Sequence, residues 1–337
     1  PRPVDLGTLG GAFSYAAAIN EKDQVVGSSD TAAGTSHAFL WQRGTMTDLG
    51  TLGGDFSYAI AVNARGQVIG VSSLAPNSYN VHGFLWYKGV MTDLGTLGGS
   101  DSYVVAINDN GQIVGTSTPA GVYTLHAFFW QKGVMTDLGT LGGDSSAAVD
   151  INARGQVLVN VFTNPGSYRS IIWNKGVATD LGSLGGPVTY ATDLNDRGQA
   201  VGYATSATSY DSLAFRWDNG ALTSFSNVYI GFDTSNDINI RGQVIGYTLV
   251  DGWAAHAVLV NDTTGVHDAG AALRAAREVH VALAERPAEV HAARGRDVHL
   301  LPGVVADVGD DQPARGRVDL EAERIAQPER PHEPRVA

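Results

Sequence analysis

The chain has 337 residues and a formal net charge of −12, which excludes the basic stripe that nucleic-acid phosphates require. No apolar run reaches the roughly 18 residues of a membrane-spanning helix, and the absence of cysteine excludes disulfide staples and thiolate metal sites. The chain starts at Pro1, close to its first repeat; no signal peptide is visible, and a secretory leader upstream is compatible with that start.

The first predicted element is Pro3-Val4-Asp5-Leu6-Gly7-Thr8-Leu9-Gly10-Gly11, a segment that later recurs at the end of the first four units. Here it has no strands of its own before it, so it is placed to close a ring by completing the last unit. A unit of about 44 residues then repeats six times. Its Ile-Asn step, or the equivalent, puts Asn at Asn20, Asn63, Asn108, Asn152, Asn195 and Asn239. A period of this length means one supersecondary unit copied in tandem.

The third unit is representative. Ser102–Ile107 is a β-rich run, and Asn108-Asp109-Asn110-Gly111 suits a type I turn closed by glycine. Gln112–Thr116 is a second strand. After a longer loop, His126–Trp130 is a third; Gln131-Lys132-Gly133 turns the chain, and Val134–Leu138 is a fourth. In the first unit Asp23 stands at the turn glycine, and Asp tolerates the left-handed region better than most residues. Four short strands in hairpins predict a β-propeller of about six four-stranded blades, with a seven-bladed parent as the alternative count. A β-solenoid is the rival fold, but its strands pair in parallel between coils, and tight hairpins oppose that.

Two columns of large side chains are assigned to packing between blades, because one blade cannot bury them alone. Phe39, Phe84, Phe128 and Phe215 form one, with Ile171 as its fifth member; Trp41, Trp86, Trp130, Trp173 and Trp217 form the other. The last unit ends in Gly265–Gly270, a degraded fourth strand that could also complete the final blade. Two regions result: residues 1–270 as the repeat propeller, and 271–337 as an Ala/Arg-rich tail. The tail lacks Ser, Thr, Asn, Lys, Phe, Tyr, Trp and Met. Such a vocabulary fits either a disordered segment or a shifted reading frame of a GC-rich gene.

The motifs resemble the bacterial HAF-repeat family. The naming step stands as His37-Ala38-Phe39 and His126-Ala127-Phe128, with His82-Gly83-Phe84 and His256-Ala257-Val258 as variants. The D-L-G-T-L-G-G string runs Asp5–Gly11, Asp48–Gly54, Asp93–Gly99 and Asp137–Gly143, and Asp180–Gly186 carries Ser183 for Thr. Residues 3–268 are covered. Units four and five depart, with Arg169-Ser170-Ile171 and Leu213-Ala214-Phe215. The resemblance implies an extracellular or cell-surface bacterial repeat protein, and supplies no catalytic residues.

Candidate chemistry is sparse. The recurring histidines would bind metal or move protons only if they converged; a strand-start His bonding to backbone near a loop also accounts for them. Asp5, Asp48, Asp93, Asp137 and Asp180 could pin the crossings by accepting N–H bonds. With Asp55, Asp101 and Asp144 nearby they could instead hold Ca²⁺, but no D-x-D-x-D-G loop occurs. No cofactor is otherwise expected. The glycine pairs match no phosphate loop, and there is no G-x-S-x-G or H-E-x-x-H. Both tight turns fall on one face of the meander, and the long second-to-third loops share the other with the crossings. Those loops carry Tyr79, Tyr123, Tyr168, Tyr210 and Trp253, predicted to bind ligand, because exposed aromatics suit sugar faces. A non-catalytic scaffold binding a glycan or other surface polymer is expected. The alternatives are a polysaccharide lyase or hydrolase in the central channel, and a purely structural surface protein; a protein partner is also compatible.

Overall fold

The computed structural model describes residues 2–163, 166–207, 212–225, 237–250, 254–261 and 265–268. Tyr210, Trp253 and the tail 271–337 lie outside them. Among the described residues every regular element is a β-strand, and no helix is long and apolar enough to cross a membrane.

The described residues form an all-β propeller. Blade 1 comprises Gly10–Ile19, Val25–Thr31, Ser36–Gln42 and Thr45–Asp48, each strand antiparallel to the one before. Blades 2 to 5 repeat that meander. A parallel bridge from Tyr168 to Val188 links blades 4 and 5. Blade 6 shows three strands among the described residues, and Gly265–Asp268 is its outer one, paired with Ala254–Asn261. Pairing inside each repeat removes the solenoid. The leading segment is not the closing strand expected of it: residues 2–8 adopt no strand. Instead they contact blade 1, where Ser14 Oγ donates to the Gly7 carbonyl at 2.8 Å.

Successive blades pack face to face. Val26, Ala38 and Leu40 of blade 1 meet Ala59, Val68 and Phe84 of blade 2, and equivalent clusters recur along the array. The phenylalanine column is fully buried, as a shared core requires, with Ile171 buried in the same place. Blade 4 shows why Phe could be lost there. In blades 2 and 3 the residue facing the Phe ring is Gly70 or Gly115, whose added Cβ would lie 2.7 Å from it. In blade 4 that glycine is Val159, so volume moves from one side chain to its neighbour.

The invariant Asn and Gln of the repeat form the polar half of each interface. Asn20 Oδ1 accepts the Lys22 and Gln24 amides, closing the turn. Its Nδ2 donates to Gln24 Oε1 at 2.7 Å and to the Asn63 carbonyl of the next blade at 2.8 Å. The same interblade bond runs Asn63 to Asn108, Asn108 to Asn152, Asn152 to Asn195 and Asn195 to Asn239, at 2.9–3.0 Å. The Gln lies against the turn glycine of the following blade: a Cβ at Gly155 would fall 2.9 Å from Gln112 Oε1. That glycine therefore serves a positive φ of 77° and a close approach at once.

The outer faces of the array differ. Ile19 is 65% exposed, whereas its counterparts Ile151 and Leu194 are buried against the preceding blade. Ile245 is 45% exposed, whereas Ile69, Val114, Leu158 and Val201 at the same position are fully buried.

Candidate functional site

The face carrying the long loops begins with a row of paired side chains. His37 Nδ1 lies 2.9–3.0 Å from both carboxylate oxygens of Asp48, and His82–Asp93 and His126–Asp137 repeat that geometry. The histidine partner is thus the aspartate of the crossing rather than backbone. The antiparallel register sets the pair, because Phe39 faces Asp48 and the His two residues earlier projects on the same side. The aspartate also caps its own crossing: Gly50, Gly95, Gly139 and Gly182 amides donate to it at 2.7–2.8 Å. In blade 4 Arg169 replaces His and its Nη1 reaches Asp180 Oδ2 at 2.9 Å. In blade 5 both partners are gone, with Leu213 and Ser224 in their places. The two positions change together eleven residues apart, a signal present in the sequence and missed there.

The pairs lie one per blade and do not converge. Among the described residues no group of three or more His, Asp or Glu side chains is arranged to hold a metal ion. Two carboxylates just past the glycine pairs hold loops. Asp55 Oδ2 accepts the Asn77 amide at 2.6 Å, and Asp101 Oδ1 accepts the Val81 amide at 2.9 Å.

Three of the five aromatics predicted to bind ligand lie in the described structure. Tyr79 and Tyr123 are in loops, 94% and 102% exposed. Tyr123 borders a surface groove of about 330 Å³ with Asp101, Thr118 and Pro119. Tyr168 is different: it sits inside the strand Ser167–Asn174 rather than in a loop, and it is partly buried. Its ring lies 5.3 Å from Phe162 and 5.5 Å from Tyr190, the latter edge-on, and Tyr190 stacks on Tyr203 at 5.4 Å. The short loop of blade 4 explains the difference, since the third strand begins only four residues after Thr163.

A second set of functional groups was not foreseen. The residue two before the repeat Asn is Ala18, Ala61 and Ala106 in blades 1 to 3, but Asp150, Asp193 and Asp237 in blades 4 to 6. In each of the first five blades the inner strand breaks register here, a β-bulge that re-aims this side chain. Asp150 accepts the Ile151 and Leu194 amides at 2.7 and 3.3 Å. Asp193 accepts the Leu194 and Ile238 amides at 2.8 and 2.7 Å. Each carboxylate therefore bridges two blades. Burial, then the hydrogen bond that the protonated Asp193 donates to Asp237, push the Asp193 carboxyl up to about 8, and the nearby Asp150 and Asp237 charges add to this. Burial also raises Asp150, against the backbone amides that favour its anion. Carboxyls this close share protons instead of ionising together.

No protein-family profile matches the chain, and no curated protein matches it in sequence. Solved structures similar to it include TolB from Acinetobacter baumannii, at 11% identity and a TM-score of 0.44, covering 71% of this chain and 61% of that one. Pyrococcus horikoshii acylaminoacyl peptidase is 11% identical with a TM-score of 0.47, covering 76% of this chain and 46% of that one. The Xanthomonas campestris gluconolactonase XC5397 is 11% identical with a TM-score of 0.38, covering 72% of this chain and 85% of that one. The chain thus spans about three fifths of TolB and under half of the peptidase. The propeller architecture rests on the sheets described above.

Proposed function

We propose that the protein is a non-catalytic scaffold of the HAF-repeat type, displayed outside a bacterial cell, that binds a glycan or similar surface polymer through its long-loop face. The reading rests on Tyr79 and Tyr123, two fully solvated aromatic side chains in equivalent loops of adjacent blades. A blade array bound by interblade hydrogen bonds is a stiff support for such loops, and a solvated ring gains most by covering the apolar face of a sugar. Its weak contacts add along a polymer in the manner of any multivalent binder.

The test is a pull-down on insoluble polysaccharides with the paired substitution Tyr79→Ala and Tyr123→Ala. Retention should fall severalfold, while the melting temperature stays within about 2 °C because neither side chain packs on the blade. Unchanged retention removes these loops from the binding face. A second reading, a polysaccharide-active enzyme with carboxylates in the channel, draws on the raised Asp193 and Asp150. Against it, both carboxylates are engaged by backbone amides of two blades. Reducing ends released from a bound polymer, and lost in Asp193→Asn, would put the enzyme first.

A further inference from the structure

Departures from the repeat concentrate in blade 4. Ala147 stands where Tyr15, Tyr58, Tyr103 and Tyr190 stand in the blades around it. Tyr168 stands where blades 1 to 3 have Ser36, Val81 and Leu125, and Arg169 where they have His. Two of these changes shape one place. The missing ring at position 147 leaves a cavity of about 300 Å³, walled by Leu125, Ser145, Phe162, Tyr168 and Tyr190. A second cleft of about 450 Å³ opens between blades 4 and 5, bordered by Thr163, Arg169, Asp180, Ser183 and Pro187. Tyr168 lines both.

We propose that these two cavities are adjoining subsites for neutral sugar rings, with Tyr168 as the wall between them. The proposal rests on the reading of the loop face as a glycan-binding surface and gives it a specific, soluble-ligand site. The aromatic wall is already in place. Phe162, Tyr168, Tyr190 and Tyr203 form a continuous run of ring contacts 5.3 to 5.5 Å apart, so little side-chain freedom is lost when a ligand arrives. Such rings present apolar faces to the C–H side of a pyranose. Hydroxyl partners come from the second cleft. Arg169 has five N–H donors; its Nη1 is bonded to Asp180 and its Nη2 to the Leu141 carbonyl, and both it and Asp180 remain about two-fifths exposed. A guanidinium beside a carboxylate offers vicinal hydroxyls both donors and acceptors. Ser183 and Thr163 border the same cleft.

The charge selects the ligand class. Arg169 is neutralised by Asp180, and the chain as a whole carries −12, so an anionic sugar would meet repulsion without a free cation to offset it. The small volumes sit at the lower end for ligand pockets and suit one ring each.

Titration calorimetry of the full chain against soluble tetrasaccharides of glucose, xylose and mannose tests this directly. Two variants return blade 4 to what its sister blades carry: Ala147→Tyr fills the first cavity, and Tyr168→Ser removes the wall. Both draw on residues the fold already accepts at that position, and a thermal melt checks that they fold. The wild type should bind at least one of the sugars, and each variant should weaken it about tenfold or more. As a control, Lys22→Ala, on an exposed tight turn of blade 1, should bind the same tetrasaccharide normally. Full-strength binding by both blade 4 variants overturns the site, and if the Tyr79→Ala, Tyr123→Ala variant has meanwhile lost its hold on polymer, the loop-face reading stands alone. No binding of any soluble sugar by the wild type, with polymer retention intact, overturns the site in the same way. Failure of both assays overturns both proposals.

Discussion

Asn152→Ala should be among the most damaging single substitutions in the propeller, costing on the order of 3 to 5 kcal/mol. The side chain is buried and makes four hydrogen bonds. Oδ1 accepts the Arg154 and Gln156 amides at 3.1 and 3.0 Å, and Nδ2 donates to Gln156 Oε1 and the Asn195 carbonyl at 2.8 and 3.0 Å. Alanine leaves a turn without its cap, a Gln amide without its partner, and a carbonyl of the next blade unbonded inside the interface. Net worth per hydrogen bond is small, but stranding several buried groups together is not. Chemical denaturation of the two proteins measures the difference. A loss below about 1 kcal/mol would mean that water replaces the ladder and that the blades are held by their apolar faces alone. Loss of cooperativity in the variant, with two transitions, would locate the weak joint between blades 4 and 5, as expected of a nearest-neighbour array.

Wild-type stability should fall as the pH rises from about 4 to about 8 and level off above, and Asp193→Asn should abolish most of that slope. Asp193 holds its proton in the fold up to about 8, whereas in the unfolded chain it releases it near the ordinary carboxylate value. Between those limits the folded state binds more protons than the unfolded one, so each step up in pH favours unfolding. Below pH 4 both states are protonated and this contribution is constant. The full swing is on the order of 3 to 5 kcal/mol from Asp193, and Asp150 adds in the same direction. Asn at 193 keeps an oxygen for one of the Leu194 and Ile238 amides, which bond to different carboxylate oxygens in the wild type, and it carries no charge to repel Asp150 and Asp237. The measurement is a series of melts from pH 5 to 9. A flat wild-type profile would show that the stacked carboxylates are hydrated enough to ionise independently.

The carboxylate stack also shows the limit of reading the repeat by its consensus. Alignment by the Asn column exposes Ala, Ala, Ala, Asp, Asp, Asp at one position, yet a strand of ordinary register would not bring that side chain beside its equivalent in the next blade. The bulge does so, and nothing in the local residues announces it. The His–Asp pairs were closer to legible. Their joint loss in blade 5 and the Arg169–Asp180 substitution in blade 4 are visible in the letters, but only the hairpin register says that residues eleven apart face each other. Tyr168 reads from the sequence as a loop residue, but in blade 4 the third strand begins only four residues after Thr163 and takes that ring in.

By itself the sequence determined the all-β class, the repeat of antiparallel hairpins, the glycine turns and the buried Phe column, because these follow from local periodicity and from backbone angles that few residues adopt. The tertiary structure alone decided what lies between blades. Asn20 to Asn63, Asp150 to Leu194, and the cavity beside Ala147 join residues some 20 to 45 positions apart. Such contacts depend on the angle and distance at which one sheet meets the next. Those are set by the sum of many side-chain volumes across the interface, and no single motif encodes that sum.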